Sequence, residues 1–143
     1  MSGAYEVEIP TRWMDTDAYG HVNNAQYYSF FDTALTTWLV REAGVDTAGG
    51  DRIGLCVESK CTFEAPLSFP ETLTARVSAG HVGRSSARYE IELFGEDDRR
   101  VARGYFVHVY VDRETRSPAP LPEHVGEALR GIAVPAALRP PPR

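Results

Sequence analysis

Two carboxylates, Asp15 and Asp17, open the stretch of this chain whose residue types could do chemistry. They belong to the run DTDAYGHVNN, residues 15 to 24, and a strongly apolar segment begins at about Ala25. That segment predicts a helix, and the first-turn N–H groups of a helix have no partner within it. An acid held just before those donors is placed to act on a polarised carbonyl. Each residue also has a plainer use. An acid near a helix N-terminus is favoured by helix electrostatics alone, and Asn23 and Asn24 suit helix capping. Asp15 reads as a structural acid that accepts N–H bonds within the loop. Gly20 points to a backbone conformation, or a close approach, that a Cβ would block.

The elements that must hold this loop follow from periodicity. A helix is expected from about residue 24 to residue 43, with Gly44 as its C-terminal stop. At ~100° per residue, Tyr28, Phe31, Leu35, Trp38 and Leu39 share a broad apolar face. Gln26, Ser29, Thr33, Thr36 and Thr37 lie opposite. Asp32 falls amid Tyr28, Leu35 and Leu39, where burying a carboxylate is costly unless it is paired or lines a polar cavity. It is therefore expected to be buried, either as a pocket acid or with a fixed protein partner. Residues 45–53 form a Gly- and Asp-rich loop.

The rest alternates with period two, the mark of half-buried strands. Tyr5 to Ile9 makes a short first strand ended by Pro10. Leu55, Val57, Ser59, Cys61 and Phe63 are expected on one face of the next, with Glu58, Lys60 and Thr62 on the other. Leu73, Ala75, Val77 and Ala79 mark a third strand, and Ala87, Tyr89, Ile91 and Leu93 a fourth. Val101, Arg103, Tyr105, Val107, Val109 and Val111 close the series. The turn GHVGRSS carries Arg84, Ser85 and Ser86, either a solvated hairpin or, by the fork geometry of arginine, a contact for phosphate. A strand, a long helix and about four antiparallel strands define an α+β domain with a helix on one sheet face.

Composition narrows the class. The chain has 143 residues, enough for one domain that buries roughly two-thirds of its unfolded surface. A formal charge of -5 argues against general nucleic-acid binding. No long uncharged apolar run suggests a membrane span, and MSGAYEVEIP does not read as a secretory signal, so the cytoplasm is expected. Cys56 and Cys61, five apart in a strand, are expected on opposite faces. They predict neither a mutual disulfide nor a metal site. The domain is expected over residues 1–138, with a disordered tail at 139–143.

The order of elements and the motif DTDAYGHVNNAQY together resemble the hotdog-fold acyl-CoA thioesterases, in the 4-hydroxybenzoyl-CoA thioesterase-like branch. The residues that carry the resemblance are Asp15, Asp17, Gly20, His21, Val22, Asn23, Asn24 and Tyr27, and the strand layout extends it over residues 5 to 112. The resemblance implies a hotdog fold, a long central helix wrapped by an antiparallel sheet of about five strands. It implies that Asp17 acts on the thioester, as nucleophile or as general base for water, and that the Asn24 N–H binds the oxyanion. It implies that Gly20, His21, Asn23, Tyr27 and Asp32 border the substrate. Of these, His21 reads more as a brace for the loop, and Tyr27 as either core or acyl pocket. Arg84, Ser85 and Ser86 would contact the phosphates of coenzyme A, often from a neighbouring subunit. A homodimer or homotetramer with sites at the interface is implied, joined at the strand from Leu55 to Phe63, and no metal or redox cofactor. Two rivals stand beside this reading: a hotdog-fold enoyl-CoA hydratase that uses Asp17 and His21 as an acid–base pair, and a non-catalytic acyl-CoA binding protein.

Overall fold

The computed structural model describes residues 3–134, so the expected tail at 139–143 lies outside the described residues. Five strands form one antiparallel sheet in the order β1-β3-β4-β5-β2. They are β1 (Tyr5–Pro10), β2 (Arg52–Phe63), β3 (Thr72–Val82), β4 (Ser86–Phe94) and β5 (Arg100–Asp112). The long helix α1 (Asn24–Arg41) lies across one sheet face, the hotdog arrangement, and a shorter helix α2 (Glu123–Gly131) follows β5. No helix among the described residues is long and apolar enough to cross a membrane.

The core forms where the alternating strands meet the helix. Leu73, Ala75, Val77 and Ala79 of β3 are buried, as are Ala87, Tyr89, Ile91 and Leu93 of β4, in the alternation expected of them. From α1 come Tyr27, Phe30, Phe31, Ala34, Leu35, Trp38 and Leu39. The buried stripe is therefore rotated toward Phe30 and Ala34, and Tyr28 falls on its margin, 37% exposed. Asp32 is exposed, not buried as the angular argument implied. Gly104 of β5 lies under the helix, where a Cβ would run into the Lys60 carbonyl and the Phe31 ring.

Two features depart from the expected pattern. A bulge between Cys56 and Glu58 shifts the register of β2 on β5. An extra residue reverses the side-chain parity of a strand. Ser59, Cys61 and Phe63 therefore pair with Phe106, Gly104 and Ala102, while Leu55 pairs with Val109 on the other face. Cys56, opposite His108, shares a face with Cys61, contrary to expectation, and both thiols are free. The second departure is α2, which sequence periodicity did not single out. Its Val125 and Leu129, four apart, are buried against the core.

Candidate active site

The loop before α1 is a small hairpin. Thr16 bridges Val22, the Asn23 N–H donates to the Asp15 carbonyl at 2.8 Å, and the Asp17 N–H donates to the His21 carbonyl at 2.8 Å. Its tip turns at Gly20, whose φ of +83° is a conformation that glycine adopts at little cost. No heavy atom would meet a Cβ there, so the glycine serves conformation and not close approach. The Val22 N–H donates to the Leu67 carbonyl at 2.8 Å and fastens the hairpin to the body of the domain.

Asp15 anchors the base of this loop. It is 1% exposed and accepts from the Arg12 N–H at 2.8 Å and from the Arg12 guanidinium at 2.8 Å. A buried carboxylate needs such partners, so its role is structural, as its position implied. Asp17 differs. Its Oδ1 accepts from the Tyr19 N–H at 2.9 Å and the His21 N–H at 3.4 Å. Its Oδ2 has no partner among the described residues.

At the helix start, the Asn23 side chain caps α1 by accepting from the Ala25 N–H at 2.9 Å. The Asn24 N–H, a first-turn donor, has no acceptor among the described residues. The hairpin thus carries a half-buried carboxylate with one open oxygen and runs directly into a helix N-terminus with an open donor. His21 braces the loop through its backbone, and its ring is exposed. Tyr27 takes the core position: it is 3% exposed and packs edge-on to Phe63 at 5.0 Å.

The other expected residues lie elsewhere. Tyr27 packs on Phe63, which pairs with Ala102 of β5, whereas Ser86 pairs with Val109. Seven positions along a strand span about 24 Å. One chain therefore does not bring Arg84, Ser85 and Ser86 to its own Asp17. Arg84 is exposed, without an ion pair among the described residues, and its carbonyl accepts from the Leu121 N–H at 2.9 Å.

Asp32 lies between these ends. It borders a cavity of about 470 Å³ between the second half of α1, the loop that follows it, β2 and the end of β5. Two further residues of that cavity were not singled out from sequence, His108 and Tyr110 of β5. The expected series along this strand, Val101, Arg103, Tyr105, Val107, Val109 and Val111, is the alternate face; the opposite residues also include aromatics, and both faces are largely apolar. Phe106, His108 and Tyr110 take the helix side. Burial holds the His108 imidazole below its ordinary value, with the Asp32 charge opposing. Burial pushes the Cys61 thiol up to about 11, and that of Cys56 up as well, the reverse of an activated nucleophile.

The chain matches the family model of the thioesterase-like superfamily over residues 11–129, and it belongs to that family. Among solved structures it is similar to the PA5185 protein from Pseudomonas aeruginosa, with 42% identity and a TM-score of 0.88, covering 92% of this chain and 93% of that one. A gentisyl-coenzyme A thioesterase is 26% identical, with a TM-score of 0.78 over 87% of this chain and 99% of that chain. A 1,4-dihydroxy-2-naphthoyl-CoA thioesterase from Synechocystis is 22% identical, with a TM-score of 0.82 over 90% and 96% of the two chains, a likeness of fold. No curated protein matches the chain.

Proposed function

We propose that the protein is an acyl-CoA thioesterase that hydrolyses its substrate to the free acid and coenzyme A. The observation that carries this is the open Oδ2 of Asp17 in the hairpin that leads directly into α1, whose Asn24 N–H is also open, in a chain of the thioesterase-like superfamily. The thioester carbonyl oxygen rests on the Asn24 N–H, which stabilises the negative charge that develops as the carbonyl carbon is attacked. Asp17 either attacks that carbon, giving a mixed anhydride that water then opens, or takes a proton from the water that attacks. In both routes the carbon gains a bond to oxygen and loses its bond to sulfur. Gly20, His21 and Asn23 fix the loop, and the chemistry requires neither metal nor redox cofactor.

Arg84, Ser85 and Ser86 serve the phosphates of coenzyme A in the site of a second copy, because they stand too far from Asp17 of their own chain. The edge strand β2 supports this assembly. Leu55, Val57 and Phe63 along it are 39%, 54% and 49% exposed, and a long apolar edge is a template for pairing. We read the protein as a homodimer or homotetramer. Two free thiols suit a reducing cytoplasm.

A thiol-release assay across a panel of acyl-CoAs tests the reading. Release of coenzyme A from at least one thioester is the expected result. Consumption of an enoyl-CoA without thiol release, or tight binding without turnover across the panel, contradicts it.

A further inference from the structure

The hairpin before α1 spans residues 11–23. Among the described residues, every hydrogen bond and ring contact that leaves it, other than into α1, lands on one loop. That loop is residues 64–71, between β2 and β3. Its Leu67 carbonyl accepts the Val22 N–H at 2.8 Å, and its Phe69 ring meets Trp13 edge-on at 5.7 Å. Its Glu71 carbonyl accepts both the N–H of Thr11 at 3.0 Å and the Thr11 hydroxyl at 2.6 Å. Leu67 is itself fully buried in the core. Thr11 opens the hairpin and Val22 closes it, so both of its ends are set by this one loop.

Glu71 holds the loop in turn. Its carboxylate makes no ion pair among the described residues. It gathers backbone donors from two loops instead. Oε2 accepts the Ser68 N–H at 3.1 Å, and Oε1 accepts the N–H of Glu96, in the turn between β4 and β5, at 3.3 Å. Hydrogen bonds to an ionised acceptor are stronger than those between neutral groups. The Glu71 N–H returns to the Ser68 carbonyl at 3.0 Å. Gly95 leaves room for the carboxylate, since a Cβ there would stand 3.0 Å from Glu71 Oε1. The same turn adds a second tie, from Arg99 Nη2 to the Pro66 carbonyl at 2.7 Å. One residue thus links the β4–β5 turn, through its side chain, to the start of the hairpin, through its carbonyl.

We propose that Glu71 is a positioning residue for Asp17, acting through the 64–71 loop on which both ends of the hairpin rest. The inference rests on the thioesterase reading for its kinetic consequence. It goes beyond that reading by naming a residue that acts on Asp17 only through Thr11 and Val22. Without the Glu71 carboxylate, the Ser68 and Glu96 N–H groups turn to water and the loop loosens. Thr11 and Val22 then lose fixed acceptors, and Asp17 Oδ2 is spread over several positions. A misplacement of about 1 Å that starts far from the chemistry costs on the order of 10²-fold in rate. The loss falls on kcat, because what is lost is alignment and not a contact with the thioester.

The test joins steady-state kinetics to amide hydrogen exchange. Glu71→Ala is expected to lower kcat by ~10-fold or more, with KM within ~2-fold of wild type. It is also expected to speed exchange of the Thr11 and Val22 amides by ~10-fold or more, while amides in the middle of β4 keep their rates. Glutamine offers one carbonyl oxygen to the two N–H groups, so Glu71→Gln should fall between. Ile91→Val, a truncation in the core, lowers the melting temperature and should leave kcat unchanged; an equal fall in kcat there overturns the proposal. Wild-type kcat in Glu71→Ala overturns it too, as does a fall in kcat with unchanged exchange at Thr11 and Val22. If Glu71→Ala does not fold, Glu71→Gln and Arg99→Ala are read by the same criteria. If no acyl-CoA is turned over, the thioesterase reading fails by itself and exchange alone decides. Faster exchange at Thr11 and Val22 then upholds the role of Glu71, and unchanged rates contradict it.

Discussion

Asp17 and His21 clasp each other across the loop before α1. The Asp17 N–H donates to the His21 carbonyl at 2.8 Å, and the His21 N–H returns to Asp17 Oδ1 at 3.4 Å. With the Tyr19 N–H at 2.9 Å on the same oxygen, Oδ1 is committed to the loop and Oδ2 has no partner among the described residues. One carboxylate thus shapes its own surroundings and keeps a free end.

The clasp depends on the turn at Gly20, with φ at +83°. Alanine in that conformation costs about 1 kcal/mol, or roughly 2–4 °C in melting temperature for a chain of this size. Gly20→Ala should show that loss together with a fall in kcat, and Gly20→Asn should be milder, because asparagine tolerates positive φ. A Gly20→Ala protein with wild-type kcat would mean that the loop does not position Asp17.

Arg84 tests the division of labour between copies. If its guanidinium meets the phosphates of coenzyme A, Arg84→Ala should raise KM for a full CoA thioester by ~10-fold, the scale of one charged hydrogen bond. KM for the matching pantetheine thioester should change little. Equal effects on both substrates would return Arg84 to a solvated hairpin.

Asp32 is exposed and borders a cavity, so removing its charge should not disturb the fold. Asp32→Asn is expected to melt within about 0.5 kcal/mol of wild type, the usual range for surface substitutions, and to reorder the acyl-CoAs that the protein accepts. A large drop in melting temperature with the substrate ranking intact would show that Asp32 has a structural partner instead.

The buried imidazole of His108 carries a signature in stability. Burial holds its folded value below the ordinary one near 6.5, and Asp32 opposes that only in part. The unfolded chain therefore binds the proton more readily, so this group favours folding above about pH 6.5 and loses that contribution as pH falls below it. Urea unfolding at several pH values should show wild-type stability falling from pH 7.5 to 5.5 more steeply than that of His108→Phe. Parallel curves would mean that His108 is not desolvated in solution.

Much of this architecture was legible in the sequence, and the exceptions have physical causes. β3 and β4 could be read because each is half-buried with small or aliphatic residues strictly alternating. The start of α1 was legible because two asparagines before an apolar segment suit a helix cap, and Asn23 fills that role. The face of β2 was misjudged because a bulge at Val57 leaves no mark in residue type. Asp32 was placed in the core by angle alone, whereas it sits on the helix flank, where a few tens of degrees separate burial from exposure. His108 and Tyr110 were passed over because β5 is apolar on both faces, and only the fold says which face meets the helix. The helix α2 offered just Val125 and Leu129, too short a pattern to stand out.

The most direct test of the central claim is the rate of thiol release by Asp17→Asn on the best acyl-CoA, measured beside its melting curve. Asparagine keeps the Oδ1 acceptor that serves Tyr19 and His21, so the loop and the melting temperature should be retained. The loss of nucleophile or base should lower kcat by at least ~10²-fold. A folded Asp17→Asn protein that turns over near the wild-type rate would contradict the account.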